Sequence, residues 1–446
     1  MPEDNAEDER LKKLYADHVA ALGAAASAAL AAAGFDGLII HSGTPLTYFS
    51  DDQEASFRSA PAFAHWLPLA GPHHLLFIRP REKPLLIRVT SEDFWYEHAA
   101  PKEEFWSSAF EIREAPTPET AWKELPLKGN IAFVGPAAAD AAAHGIKEDA
   151  MNHAVIISHL EWQRSLKTPY EVACIEEANH IASHGHMAAR EEFFSGASEL
   201  GIHYAYVDEL GVIDRELPYE TIVALNEKAA ILHYQNKRDI EKGKVMLLDA
   251  GASYRGYASD ITRTSVFEEE CDILFRGLLG GMEKLQQDLC REALPGTPFP
   301  ALHHAAHVKI GDLLHEFGIL KLPGEDAVAK GLTRTFFPHG LGHFLGIQVH
   351  DVGGNQAGPE GGTVAAPEAY PKLRMTRTIA EGNVFTMEPG VYFIESLLKP
   401  HRTGKTSAYF DWQLIDRLAP LGGIRIEDDI VATKEGNVNL TRMFLP

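Results

Sequence analysis

The sequence predicts a two-domain α/β protein of mixed α+β type, and three observations predict it. Its 446 residues exceed what one hydrophobic core usually serves. Short apolar strands alternate with helical patterns up to about residue 160, the signature of an α/β layer arrangement. Every strong chemical signal falls in the remainder, so the expected division is 1–157 and 158–446.

Taken in order, the first pattern is an Ala-rich helix, Val19 to Gly34. It follows an acidic segment rather than a basic one and is shorter than the roughly 20 apolar residues of a membrane span, which argues against a targeting segment. GLIIHS (Gly37 to Ser42) reads as a buried strand, and HLLFIRPREKPLLIRV (His74 to Val89) as a hairpin turned through Pro80 to Pro84. NIAFVGP is a further strand. In TPETAWKEL, Thr117 offers a helix cap and Pro118 a first helical residue. RSLKTPYE repeats that grammar at the domain junction: Thr168 caps, Pro169 opens the helix and Glu171 completes a capping box. The helix that follows carries His180, His184 and His186, and a later one, ALHHAAHVKIGDLLHEFG, carries His303, His304, His307 and His315. No carboxylate pattern accompanies either set, so both are read as structural or surface histidines.

Charge and cysteine usage bound the function. With 41 basic against 63 acidic residues, the net charge of −22 opposes binding to nucleic acid or to an anionic membrane. Cys174, Cys271 and Cys290 have neither disulfide-framework nor zinc-knuckle spacing, which fits a reducing, cytoplasmic setting.

Four polar islands stand out in the second domain. KVMLLDAGASYRGYASDITRT (Lys244 to Thr264) reads as a hairpin; a turn centred on Tyr254 and Arg255 would set Asp249 directly opposite Asp260. Like charges there repel at Cβ separations of roughly 5 Å, so a cation between them is the expected remedy. Thr262 would share the face of Asp260. FPHGLGHFLGIQVHDVGG sets His339, His343 and His350 among glycines that make a regular helix costly, by about 1 kcal/mol each. NVFTMEPGVYF ends a strand at Glu388, with Thr386 on its face. GGIRIEDDIV alternates Ile424 and Ile426 with Arg425 and Glu427. Asp249, Asp260, His343, Glu388 and Glu427 together make a hard, oxygen-rich donor set with charge enough for two divalent cations.

DAGASYRGYASDITRT, HGLGHFLGIQVHD, EPGVYF and GGIRIEDD resemble, in order and wording, the ligand motifs of the pita-bread metallopeptidases, a family that includes methionine aminopeptidase, aminopeptidase P and prolidase. The resemblance covers the whole second domain and all five ligands, and it implies a pita-bread (creatinase/aminopeptidase-like) catalytic fold. Within the family the text is most similar to the branch of prolidase and organophosphorus acid anhydrolase. YETIVALNEKAAILHYQNKRD, LRMTRTIAEGNVFTMEPGVYF and the insertion IESLLKPHRTGKTSAYFDWQLI carry that choice.

What the resemblance implies is a hydrolase that cleaves Xaa-Pro dipeptides by a hydroxide bridging two metal ions, most readily Mn2+. Asp249 would chelate one ion, Asp260 and Glu427 would bridge, and His343 and Glu388 would complete the two sites. Glu388 would also pass a proton to the proline nitrogen, with His233 or His350 stabilising the oxyanion. Tyr219 would line the substrate site, His339 and Arg374 would hold the proline carboxylate, and Arg425 and Thr262 would support the ligands. A side activity on organophosphorus P–F or P–O bonds would use the same chemistry. The first domain would restrict substrate length and mediate a homodimer, with Asp51 or Asp52 approaching the neighbouring site. The competing expectations are an aminopeptidase P acting on longer Xaa-Pro peptides and a pita-bread binding protein without catalysis.

Overall fold

The structure is a computed structural model that describes residues 2–91, 104–239 and 242–446. The chain forms two compact units, the first being Met1–Glu171 with Gln356–Thr363 and the second Val172–Asn355 with Val364–Pro446. The boundary therefore falls later than 157/158. The helix Ala154–Arg164 packs against the N-terminal helix, which places it in the first unit.

The first unit is built on a five-stranded mixed sheet in the order Glu111–Ala115, Leu85–Val89, Leu75–Ile78, Gly37–His41, Ile131–Val134. The expected hairpin is present, with Leu76 opposite Leu86. Gly37–His41 runs antiparallel to Leu75–Ile78 and parallel to Ile131–Val134, so it is covered on both edges and every residue of it is buried. Thr117 caps the helix Pro118–Lys123 through the N–H of Thr120, and Trp122 of that helix stacks on Phe133.

The N-terminal helix is longer than the expected stretch, running Pro2–Ala33, and Arg10–Ala33 has the length and apolar composition of a membrane span. Its pattern explains its place here: Leu11, Tyr15, Val19, Leu22, Ala26, Ala29 and Leu30 recur at helical spacing and are buried in the unit. His18 lies on the same face. Its Nε2 meets the carbonyl of His65 at 2.8 Å and its Nδ1 meets the Thr168 hydroxyl at 2.9 Å, while His65 Nε2 meets Glu171 Oε1 at 3.0 Å. The capping box is formed as expected, with Thr168 N–H donating to Glu171 Oε2 at 2.8 Å and the Glu171 N–H donating back at 3.4 Å.

The second unit wraps helices around small antiparallel sheets. One sheet orders Thr262–Val266, Val245–Asp249 and Ile222–Leu225; another orders Val384–Met387, Asp428–Thr433 and Gly436–Asn439; a third pairs Gly390–Tyr392 with Gly423–Arg425. Behind them Phe275, Leu278 and Met282 of the helix Ile273–Glu292 join Phe299, Ile310 and Leu314 of Phe299–Glu316 in the main core.

Two details of this sheet work set the site. First, the aspartate hairpin turns one residue later than expected. Tyr254 pairs with Tyr257, leaving Arg255 (φ 51°) and Gly256 (φ 90°) as the central residues, the double left-handed geometry of a tight hairpin turn. Thr262, not Asp260, is therefore the partner of Asp249. Second, GGIRIEDDIV is not one strand but two, broken at Ile426 and Glu427, and the facing chain breaks at Glu388 and Pro389. Proline has no N–H to continue the ladder. Both glutamates thus stand at an interruption shared by two strand pairs, where their side chains are not committed to either sheet face.

Candidate metal centre

Each of the five expected ligands is brought to this interruption by a different backbone device. Asp249 ends its strand, and Asp260 follows the small hairpin with its N–H donated to Asp429 Oδ2 at 3.0 Å. Glu427 is fixed by its own N–H to the Thr262 carbonyl at 3.0 Å. Glu388 is fixed by its N–H to the Leu341 carbonyl at 2.9 Å. His343 lies in a glycine-rich segment that is not helical, as expected, and exchanges bonds with Thr386: Thr386 N–H to His343 carbonyl at 2.9 Å, and His343 N–H to Thr386 Oγ1 at 3.2 Å.

Glycine permits this closeness at two points. A Cβ on Gly251 would lie 2.0 Å from the Ser259 carbonyl oxygen, and one on Gly342 would lie 2.0 Å from that of Thr386. Neither obstacle is a flexible side chain, so only glycine fits.

The side chains converge. His343 Nε2 is 3.4 Å from Asp260 Oδ2 and 3.8 Å from Glu388 Oε1, and single donor atoms of Asp260, His343 and Glu427 lie within 4.8 Å of one another. His343 Nδ1 meets the Phe344 carbonyl at 3.0 Å; a carbonyl only accepts, so Nδ1 carries a proton and Nε2 is the nitrogen that faces the cluster. Asp249 Oδ2 accepts from Arg425 at 2.6 Å, whereas its buried Oδ1 has no hydrogen-bond partner among the described residues. Thr262 donates to Glu427 Oε2 at 2.6 Å and accepts from Arg425 Nε at 3.2 Å.

Electrostatics report the same imbalance. Burial pushes the carboxyl of Asp249 up, Arg425 pulls it back, and the charge of Asp260 adds to the rise. Glu427 is raised by burial and then by Asp260, Glu388 and Asp249. Glu388 is lifted by burial to about 7 despite the opposing charges of His343 and Arg425. Burial disfavours charge on His343, but its bond to Asp260 and the charge of Glu388 prevail and raise it to about 9. Four carboxylates and one correctly oriented imidazole, served among the described residues by one buried arginine, fit divalent cations.

The remaining expected residues fall into two groups. Tyr219 is half-buried, with its hydroxyl enclosed, and packs on Gly251; burial and then the charges of Asp249, Asp260 and Glu427 raise its phenol. His350 meets His343 edge-on at 4.3 Å between ring centroids and is lowered to about 4 by desolvation of its ring, then by His343 and Arg374. His233 and Arg374 are exposed, His233 near enough to disfavour charge on both His339 and His350. His339 has both ring nitrogens engaged, Nδ1 at 2.8 Å from the Gly340 carbonyl and Nε2 at 2.8 Å from Tyr392 Oη, and burial lowers it to about 3. Asp52 lies in the first unit, exposed, with its N–H donated to Asp51 Oδ1.

Three further residues, which the sequence motifs do not single out, support the cluster. Tyr392 Oη accepts from Arg425 at 3.1 Å and so joins His339 to the arginine that holds Asp249. Asp429 carries the Asp260 N–H, and Asn179 donates to the same Asp429 oxygen at 2.8 Å. Tyr392 lies in EPGVYF and Asp429 in GGIRIEDD, so each had a motif as signal; Asn179, on a helix far away in sequence, had none.

Fold and donor set together define a metallopeptidase of the pita-bread class. The chain belongs to metallopeptidase family M24, whose model matches residues 173–434, and residues 13–162 match a model described as the Xaa-Pro dipeptidase N-terminal domain. It is 39% identical over 442 residues to the Xaa-Pro dipeptidase of Pseudoalteromonas atlantica, covering 97% of this chain and 99% of that one. It is 40% identical over 438 residues to the Xaa-Pro dipeptidase of Shewanella baltica, covering 97% and 98%. Among solved structures it resembles proline aminopeptidase P II from Yersinia pestis, with TM-score 0.71, 25% identity and coverage of 97% and 96%. The Escherichia coli aminopeptidase P with the inhibitor Pro-Leu shares the fold at TM-score 0.68 and 23% identity, covering 92% and 91%.

Proposed function

We propose that the chain hydrolyses Xaa-Pro dipeptides to a free amino acid and proline, using two divalent cations, Mn2+ by preference, held by Asp249, Asp260, His343, Glu388 and Glu427. Bound cations of this kind supply Lewis acidity and lower the pKa of water. The observation that supports the reading is the buried group of Asp260, His343 and Glu427, with Glu388 3.8 Å from His343 and Asp249 held by Arg425, in a chain similar from end to end to proteins named Xaa-Pro dipeptidase.

The chain's own residues have separable tasks in this scheme. Arg425 and Thr262 hold the oxygens of Asp249 and Glu427 that face away from the cluster, so the remaining oxygens point inward. Glu388 relays the proton to the proline nitrogen, which as a tertiary amide must be protonated to depart. His233 and His350, beside the cluster, donate to the oxygen of the scissile carbonyl as charge develops on it. Arg374 takes the proline carboxylate. His339 joins it only by releasing its bond to Tyr392 or to the Gly340 carbonyl. Tyr219 walls the site. The first unit supplies substrate-length restriction in a cytoplasmic homodimer, with Asp52 directed at the neighbouring subunit's substrate.

A panel of Xaa-Pro dipeptides, Xaa-Pro tripeptides and a fluorophosphonate, assayed with Mn2+, tests the reading. Dipeptides should dominate kcat/KM, and Asp260→Asn should abolish turnover of every substrate. The likeness to aminopeptidase P structures favours one second reading, removal of the N-terminal residue from longer peptides. Tripeptides exceeding dipeptides would establish it.

A further inference from the structure

The helix Pro169–Phe194 has an inner face that supports the acid cluster and an outer face that carries His180 and His184. Residues four apart on a helix are neighbours on one face. Here the two Nε2 atoms lie 3.3 Å apart, with ring centroids at 5.0 Å and planes inclined by 60°. Two imidazole nitrogens each at about 2.0–2.1 Å from one cation are separated by about 2.9–3.4 Å as the angle at the metal goes from square to tetrahedral. The observed spacing falls inside that window.

The surroundings prepare the pair further. Glu177 Oε2 lies 3.6 Å from His180 Nδ1, on the ring nitrogen away from His184. A carboxylate in that position favours the tautomer whose Nε2 lone pair is available to a metal. The ring of Phe444 rests 4.8 Å from that of His180 and limits its rotation. All three donors are accessible: the side chains of His180 and Glu177 are 44% and 39% exposed, and His184 is exposed.

We propose that His180 and His184 form a peripheral chelate for one late first-row divalent cation (Zn2+, Ni2+ or Cu2+), distinct from the acid cluster. The donor chemistries separate the two sites. A pair of neutral imidazoles selects the nitrogen-preferring end of the divalent series and binds Mn2+ weakly, whereas the four-carboxylate cluster suits hard cations. The inner face of the same turn gives occupancy a route to the catalytic loop. Ala178 offers its carbonyl to Ser259 Oγ at 3.1 Å, Asn179 donates to Asp429, and His186 Nε2 meets the Ala250 carbonyl at 2.9 Å. A cation bridging 180 and 184 staples the helical turn that lies between these contacts.

The test uses tag-free full-length protein with its acid cluster saturated by Mn2+, titrated with Ni2+ at pH 7.5 by calorimetry. One further equivalent should bind, and the thermal midpoint should rise with it. His184→Asn should lose that equivalent while keeping dipeptide turnover without Ni2+, and Glu177→Gln should weaken it by roughly tenfold. With Cu2+ in place of Ni2+, the electron paramagnetic resonance spectrum should show coupling to two nitrogens. Absence of an additional equivalent in the parent protein, or its retention in both His180→Asn and His184→Asn, would overturn the proposal.

Discussion

The backbone N–H of Asp260 donates to Oδ2 of Asp429 at 3.0 Å, so a buried carboxylate that touches none of the proposed cations sets the position of one that does. Asn179 approaches the same oxygen at 2.8 Å, and the Asp429 N–H is itself donated to Thr441 Oγ1 at 2.9 Å. Asp429→Ala removes the acceptor while leaving every ligand in place. The expected result is metal affinity reduced by roughly 10- to 100-fold, the usual effect of losing an orienting partner, with turnover recovered at saturating Mn2+. Calorimetric Mn2+ binding unchanged from the parent would contradict it.

Thr262 bridges two sides of the cluster through one hydroxyl, donating to Glu427 and accepting from Arg425. Thr262→Val keeps the shape and deletes both bonds, leaving a charged donor and a buried carboxylate oxygen short of a partner. A cost of about 1–3 kcal/mol is expected, read as a fall of roughly 10- to 100-fold in kcat/KM. Thr262→Ser should restore most of it. Equal loss in both variants would show that the methyl group, not the hydroxyl, matters.

Metal removal should couple to pH. In the metal-free protein Glu388 sits at about 7, with Asp249 and Glu427 also raised, against an ordinary carboxyl near 4.3 in the unfolded chain. A folded pKa above the unfolded one gives stability that is complete below the unfolded value and lost as pH rises through the folded value. The gap in melting temperature between Mn2+-loaded and chelator-treated protein should therefore widen from pH 6.5 to 8.5. A gap independent of pH would show that repulsion among these acids is not what the cations relieve.

The first unit should respond in the opposite sense. His18, His41 and His74 are buried and lowered to about 4, each chiefly by burial. Folded values below the ordinary 6.5 mean that the unfolded chain binds protons first, so stability is intact above about 6.5 and declines as pH falls toward 4. Trp66, Trp106 and Trp122 are all buried in this unit and, of the six tryptophans in the sequence, only Trp412 falls in the second, so tryptophan fluorescence during urea unfolding reports mainly on the first. The midpoint should drop between pH 6.5 and 4.5; a flat profile would be the contrary result.

Much of this architecture was legible in the chain, and the failures have specific physical causes. Caps at Thr117 and Thr168, the hairpin through Pro80 to Pro84 and the glycine-rich histidine segment follow from local rules, because one residue type at one position suffices to specify each. The five proposed ligands were open to the same kind of reading, each lying beside a strand end or a turn. What misled was register. Placing the turn on Tyr254 and Arg255 ignored that a two-residue hairpin turn needs left-handed backbone at both central positions, a requirement that Gly256 answers and Tyr254 does not. A shift of that kind changes every partner across the ladder, and the imagined confrontation of Asp249 with Asp260 became a pairing of Asp249 with Thr262. Asn179 was beyond reach because its contact with Asp429 spans 250 residues and no periodicity encodes it.

Gly251 and Gly342 each press against a backbone carbonyl rather than a side chain, one beside Asp260 and the other beside His343. No neighbour can rearrange to admit even a methyl group. In a library of single substitutions selected for activity, these two positions should therefore tolerate nothing but glycine, whereas replaceable neighbours such as Tyr392 should accept partial substitutes. Adaptation of this scaffold to new substrates must then proceed through its walls, since the hinge on which its ligands hang allows no drift.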